Sequence, residues 1–445
     1  MVTAAPTPTD RRSLRKLMAA GLVGSSLEWY DFFIYATAAA LVFPKLFFPA
    51  ATPIVGLLLS FSTFWAGFIA RPIGGLVFGH IGDKFGRKPA LVICLALMAA
   101  ATFLIGLLPT SASIGVFAPV LLVLLRFAQG IAVGGQWGGV VLLLTESASS
   151  GRRGFAGTFG QAGVPIGVIL GNVAFIVAST SMPAASFASW GWRVPFLASA
   201  LLFPLVLFIQ LKVEDSPVYK EIAARRAASP DSVVQAPLKE ALRTHRKAIL
   251  LGAGLMFASN AIFYVSIAGV LSYATSTLGL SRQSVLLASL ASSIISVPFV
   301  FLSGRLSDRY GRRPLILLGA LALTLWAFPY FWLIDTGSLG MLFAAVTVAG
   351  IASSLVYGPI AAYLGELFEA HVRYSGASLA YQLASILVSG GTPFIMTALL
   401  GATGTSVSVS VFLALMGVVT VYSAWKLPET NPVASAVAAE AQPAS

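Results

Sequence analysis

Apolar residues in this chain come in long runs separated by short charged stretches. About 20 apolar residues, each rising 1.5 Å, cross the roughly 30 Å hydrocarbon layer of a bilayer. Twelve runs meet that length. The pattern predicts spans at 17–43, 54–80, 89–108, 114–145, 154–180 and 192–212 in a first half. A second half repeats the plan at 247–276, 282–304, 314–333, 338–366, 371–399 and 404–426. Between them, 213–246 is the one long polar stretch, broken by Pro217, Pro230 and Pro237, and reads as a linker. Residues 1–16 read as an N-terminal tail and 428–445, short and Ala-rich, as a disordered one. The expected fold class is an all-α integral membrane protein, its halves being 17–212 and 247–427.

Composition agrees with lipid as part of the solvent. The chain is 57% hydrophobic and 10% charged, with a mean hydropathy of +0.88. A soluble domain carries about 25% charged residues to keep its surface wet. The net charge of +12 does not indicate nucleic acid, because the basic residues sit in short clusters between apolar runs. Their placement orients the chain instead. Arg11, Arg12, Arg15, Lys16, Lys84, Arg87, Lys88, Arg152, Arg153, the linker, Arg305, Arg309, Arg312, Arg313 and Arg373 fall on one side. The other side holds only Lys45, Arg193 and Arg282, so both termini and the linker are expected in the cytoplasm of an inner-membrane protein.

A single cysteine, Cys94, and three scattered histidines, His80, His245 and His371, point to no disulfide, metal or cofactor. No Gly-x-x-x-x-Gly-Lys-Ser/Thr loop is present, which excludes a nucleotide-driven pump within this chain. Nor does a catalytic constellation stand out, so an enzyme is not expected.

The halves echo one another. Gly79, Asp83, Gly86 and Arg87 after the second span recur as Gly304, Asp308, Gly311 and Arg312 after the eighth. Glu146 and Arg153 after the fourth span recur, seven residues apart again, as Glu366 and Arg373 after the tenth. Matched glycine turns with paired charges suit a conformational latch, made in one state and broken in another.

The doubled Gly-x-x-x-Asp-Lys/Arg-x-Gly-Arg-Arg/Lys motif resembles the signature of the major facilitator superfamily. More narrowly the chain is similar to its metabolite–proton symporters. The stretches that carry this are Glu28-Trp-Tyr-Asp31-Phe, Arg71-Pro-Ile-Gly-Gly, Arg126-Phe-Ala-Gln129-Gly, Trp190-Gly-Trp-Arg193-Val-Pro-Phe, Glu214-Asp-Ser-Pro217 and Arg373-Tyr-Ser-Gly376. The resemblance implies alternating access, import and proton coupling. At Gln136 the chain departs from the pattern, since similar proteins usually carry Glu there.

Four ionisable residues fall inside predicted spans: Glu28, Asp31, Arg71 and Arg126. Each would cost roughly 2.5–3.5 kcal/mol facing lipid, so they are expected to face inward and pair. Burial raises a carboxyl pKa and a nearby arginine lowers it, which suits Asp31 or Glu28 to a transported proton. Tyr35, Arg126, Gln129 and Gln136 extend these faces as candidate solute ligands, with Arg126 placed to anchor a carboxylate. In the second half Asn260, Tyr264, Tyr357, Tyr381 and Gln382 supply polar tips on apolar walls. The expected partners are protons, a small polar solute and lipid, with the chain acting as a monomer. A small organic acid is the preferred solute. Proline or betaine uptake is the alternative, ahead of a drug/proton antiporter or a non-transporting nutrient receptor.

Overall fold

The computed structural model describes residues 11–85, 87–134, 137–200, 204, 243–369 and 372–431, without the side chains of 11–13, 79–80, 82–91, 137–140 and 150. The described residues form helices and no strands. The first half contains α1 (Arg11–Leu41), α2 (Pro53–Phe85), α3 (Arg87–Leu107), α4 (Phe117–Gly134 and Trp137–Glu146) and α5 (Arg153–Thr180). A sixth helix, α6, is described over 194–200. The second half contains α7 (Arg246–Ser276), α8 (Arg282–Tyr310), α9 (Arg312–Ile334), α10 (Leu339–Leu367), α11 (Arg373–Thr403) and α12 (Val407–Lys426). Nine of the described helices are long and apolar enough to cross a membrane.

Each predicted span overlies one of these helices. α1 and α2 run past their predicted limits, to Arg11 and Phe85, because lipid limits where a helix must be apolar and not where it must stop. Residues 1–10 and most of the expected linker lie outside the described residues. The start of the C-terminal tail corrects its expected disorder. Residues 428–431 are tied down by hydrogen bonds, among them Tyr363 Oη donating to the Pro428 carbonyl at 2.6 Å.

Helices here are apolar on both faces, one for protein and one for lipid. On α9, Ile316, Gly319, Leu323 and Ala327 point inward, while Leu318, Leu321, Leu325 and Trp332 stay exposed. Within the halves, α1 packs along α5, α2 along α4, and α9 between α10 and α12. The halves meet where α5 lies on α8 and α10, α2 on α11, and α1 on α7.

Two crossings depend on glycine. A Cβ on Gly74, Gly130 or Gly134 would collide with the backbone oxygens of Ile131, Gly67 and Arg71, so α2 and α4 touch backbone to backbone. Between the halves, a Cβ on Gly154 would stand 2.6 Å from the Gly304 carbonyl, and one on Gly304 would collide with Thr158. Two helices of the second half carry one wider turn each, at Val265–Gly269 in α7 and Ser385–Gly390 in α11.

Candidate functional site

The acids stand on α1 and the arginines on α2 and α4. Close packing of α2 against α4 sends the Arg126 side chain past Gly67, whose Cβ would lie 2.6 Å from Arg126 Nε. Both guanidinium groups finish buried, Arg71 and Arg126 each 1% exposed, and Asp31 is buried as well, at 6%. Rings cover them. Cζ of Arg71 lies 4.4 Å from the Phe68 ring centre and 4.9 Å from that of Phe32. Cζ of Arg126 lies 4.1 Å from the Phe32 centre and 4.3 Å from that of Tyr35. Phe32 thus serves two cations, each such contact worth about 0.5–2 kcal/mol.

The expected direct pairing of acids and arginines needs correcting. Among the described residues neither arginine is in an ion pair, although Glu28, half-buried, lies close enough to Arg71 for charge attraction. Nε and Nη2 of both arginines are buried without a hydrogen-bond partner. The link from Arg126 to Asp31 is indirect. Arg126 Nη1 donates to Gln129 Oε1 at 3.0 Å, and Gln129 Nε2 donates to Thr102 Oγ1 at 2.7 Å. That hydroxyl stands 3.2 Å from Asp31 Oδ2 and 2.9 Å from the Met98 carbonyl. The reason is steric: rings of α1 and α2 occupy the arginine faces, so α3 supplies the acid's partner.

Thr102 has one hydrogen to give. Given to Asp31, it holds a carboxylate; given to Met98, it leaves its oxygen facing Asp31, and only a protonated acid completes that contact. The hydroxyl can therefore follow either protonation state of Asp31 without moving its oxygen.

A cavity of about 80 Å³ opens between the halves. Its walls include Trp29 of α1, Pro165 of α5, and Asn260, Tyr264, Tyr357 and Tyr381 of the second half. About 10–15 Å³ of such volume holds one water, so the space suits a small solute. Tyr381 stands within hydrogen-bonding reach of Tyr357 and Arg71. Arg71 also lies 5.6 Å from the Trp29 ring centre. It therefore sits directly behind the cavity wall.

Of the expected solute ligands, Asn260, Tyr264, Tyr357 and Tyr381 line this cavity. Tyr35, Arg126, Gln129 and Gln382 do not. The Tyr35 hydroxyl is spent on Thr63 at 2.6 Å, and Gln382 Nε2 donates across the halves to the Gly134 carbonyl at 3.4 Å. Gln136 lies outside the described residues. Thr102 escaped notice because a lone threonine in an apolar run carries no signal. The serines of the cavity wall did leave one: Ser289, Ser292, Ser293 and Ser296 follow the spacing of a single helix face.

The latch candidates gather at the end where α5, α9 and α11 begin. Asp308 of α8 accepts the first free N–H groups of α5, from Gly154 to Oδ1 and Phe155 to Oδ2, both at 2.8 Å. A carboxylate at a helix N-terminus satisfies orphan donors and the helix dipole together. Arg312, 0% exposed, holds Asp308 at 2.7 Å and Glu366 at 3.3 Å. Glu146 pairs across the halves with Arg373 at 3.1 Å, with Arg153 lining the same small recess. Gly311 turns at φ +101°, where the Glu429 carboxylate accepts from the Arg312 and Arg313 N–H groups at 2.9 Å each. Gly79, Asp83 and Arg87 lie in helix with undescribed side chains, and Gly86 lies outside the described residues.

The sequence profile of the Major Facilitator Superfamily matches residues 21–389 and 249–445. The chain is 38% identical over 430 residues to the inner membrane metabolite transport protein YhjE of Escherichia coli K12, covering 96% of each. It is 38% identical over 387 residues to the shikimate transporter of the same strain, covering 87% of this chain and 88% of that one. The fold matches the proton:xylose symporter XylE of E. coli with a TM-score of 0.72 at 22% identity, over 95% of this chain and 97% of that one. With twelve-helix architecture, doubled motif and near full-length relatives in agreement, the chain is a membrane transporter and belongs to the major facilitator superfamily, grouping there with metabolite transport proteins.

Proposed function

We propose that this transporter imports a small organic acid together with a proton across the inner membrane, by alternating access, as a monomer with both termini in the cytoplasm. Asp31 carries the proton. Arg71, behind Trp29 and Tyr381, holds the solute carboxylate, while Arg126 balances the acid's charge through Gln129 and Thr102. The observation that carries the reading is the hydrogen-bonded chain from Arg126 to Asp31, set beside a cavity between the halves. Orphan donors on Arg71 favour an anion, since each buried unpaired donor costs about 1–3 kcal/mol. The latched end is then the cytoplasmic one, closed in this conformer.

Proteoliposomes separate coupling from binding. A panel of organic acids, with proline and betaine alongside, is screened for uptake driven by an inward proton gradient. Asp31→Asn is expected to abolish gradient-driven accumulation of the accepted acid while leaving solute-for-solute exchange. Full accumulation by Asp31→Asn would overturn the proton role, and uptake of proline or betaine alone would overturn the acid.

A further inference from the structure

Where α9 begins and α12 ends, two cations stand among apolar surface without a counter-ion. These helices pack side by side. On α12, Leu415, Val418, Tyr422 and Trp425 recur at helical spacing and are all exposed. Such spacing marks a single helix face, and in a bilayer an exposed apolar face meets lipid. Leu318, Leu321 and Leu325 give α9 a like strip. At the latched end Lys426 and Arg313 close this surface. Lys426 Nζ lies 4.2 Å from the Trp425 ring centre, where the ring face attracts the ammonium. Arg313 reaches across to the last turn of α12. Its Nε donates to the Ala424 carbonyl at 2.9 Å and its Nη2 to the Trp425 carbonyl at 2.8 Å. Carbonyls fix a guanidinium but leave its charge whole. The acids nearby are engaged elsewhere: Asp308 and Glu366 hold Arg312, and the Glu429 carboxylate accepts backbone N–H groups. Among the described residues neither Arg313 nor Lys426 is in an ion pair.

An anion for this pair can come from water or from the bilayer. Cations open to water hold a free ion weakly, because solvent and salt screen them. A phosphate carried on acyl chains arrives from the lipid side instead. The apolar strips receive its chains, Trp425 sits at the depth where the bilayer turns polar, and the local concentration is that of the membrane itself. Each basic residue at a membrane surface favours anionic over neutral lipid by about fivefold, so two favour it by about twenty-fivefold. We infer that the ends of α9 and α12 form a binding site for one anionic phospholipid, its phosphate between Arg313 and Lys426 and its chains along the two apolar strips. Every contact belongs to the second half, so the lipid braces α9 against α12 and does not choose between latched and open states. The site is separate from the solute cavity and independent of what that cavity carries.

The test is fluorine NMR of the full-length transporter, labelled with fluorotryptophan and held in phosphatidylcholine nanodiscs of rising phosphatidylglycerol content. Trp425→Phe assigns the Trp425 signal. A twenty-fivefold preference half-fills a site that exchanges lipid for lipid at about 4 mol% phosphatidylglycerol, and the Trp425 shift is expected to reach its midpoint there. Lys426→Gln leaves the Arg313 bonds intact and is expected to move the midpoint to about 17 mol%, the value for one remaining cation. Lys247→Gln, exposed at the start of α7, is expected to leave it in place. A Trp425 signal that is unmoved, or that drifts in proportion to phosphatidylglycerol without a midpoint, would overturn the site. So would an unchanged midpoint in Lys426→Gln. If glycerophosphate reproduced the shift in pure phosphatidylcholine nanodiscs, the ligand would be a soluble anion and the lipid assignment would fall.

Discussion

Asp308 is the residue whose removal should most change the conformational balance. Its contacts divide by half. Arg312 belongs to the same half and stays with it in any rigid-body movement, whereas Gly154 and Phe155 belong to the other and are lost when the latched end opens. Only the two N–H bonds at 2.8 Å therefore count toward the difference between states. Hydrogen bonds to a charged partner contribute about 1.5–3 kcal/mol each. Asp308→Asn keeps one neutral acceptor and turns an NH2 toward the second N–H. The net loss is about 3 kcal/mol, or roughly a hundredfold in the closed-to-open ratio. Among the described residues a charge pair also crosses this end, Arg373 with Glu146, 27% and 35% exposed. Exposed pairs are worth about 0–1 kcal/mol, so Glu146→Gln should shift the same ratio by fivefold at most. Spin labels at the exposed Ser149→Cys and Arg305→Cys, in a Cys94→Ser background, report the separation of the halves by pulsed dipolar spectroscopy. The unaltered protein should show mainly the short distance and Asp308→Asn mainly a longer one. An unchanged distribution in Asp308→Asn, or a larger shift in Glu146→Gln, would refute the assignment of the latch to the helix cap.

Three further perturbations test separate parts of the structure. Thr102→Val keeps the side-chain shape but removes the hydroxyl between Gln129 and Asp31. Gradient-driven uptake should fall by about tenfold or more, with recovery in Thr102→Ser, because a buried unmet donor costs about 1–3 kcal/mol. Gly134→Val drives a side chain into the Arg71 backbone where α2 and α4 touch. Size-exclusion chromatography should show loss of monodisperse protein. Glu429→Ala uncaps α9 at Arg312 and Arg313, and losing a cap costs about 1–2 kcal/mol. Since both partners belong to the second half, its thermal midpoint should drop while the spin-label distances stay put.

The sequence discloses much of the fold because lipid leaves few alternatives. Runs of apolar residues must be helices, and charges such as Arg71 or Asp31 inside a run must turn away from lipid. It discloses less of the site, because partners without charge leave little trace. The link between Arg126 and Asp31 passes through Gln129 and Thr102, whose roles depend on where α3 crosses α1 and α4. The partner of Asp308 is backbone, and an N–H group has no identity in a sequence. Ser289, Ser292, Ser293 and Ser296 do sit at one helix face, yet serine is common glue between membrane helices, so the spacing alone does not separate a lining from a packing seam. Glu429 illustrates the remaining limit. It lies beyond the last span in a stretch of low hydropathy, and only the left-handed turn at Gly311 gives its carboxylate two N–H groups to meet.

The halves differ in backbone geometry as well as chemistry, and the difference bears on how a proton and a solute are coupled. In the first half, backbone contact at Gly67, Gly74, Gly130 and Gly134 fixes α2 against α4, and with them both arginines. Packed backbones have no side chains to repack, so the two arginines are held in fixed relation to one another. In the second half, the wider turns of α7 and α11 lie beside the interface. The Ile386 carbonyl within the α11 turn accepts from Trp65 Nε1 of α2 at 2.8 Å, and Phe263, just before the α7 turn, packs 5.5 Å from Phe33 of α1. Wider turns of this kind frequently mark functional sites in helices. Local bending of α7 and α11 can then alter the cavity wall, Tyr264 and Tyr381 included, while Arg71 and Arg126 keep their places relative to one another. On this account the solute is sensed by the second half and the proton by the first. Tyr381, within reach of Arg71, is the contact through which each registers the other. Tyr381→Phe should therefore weaken coupling more than solute affinity. Equal losses of exchange and gradient-driven uptake in that variant would refute the division of roles.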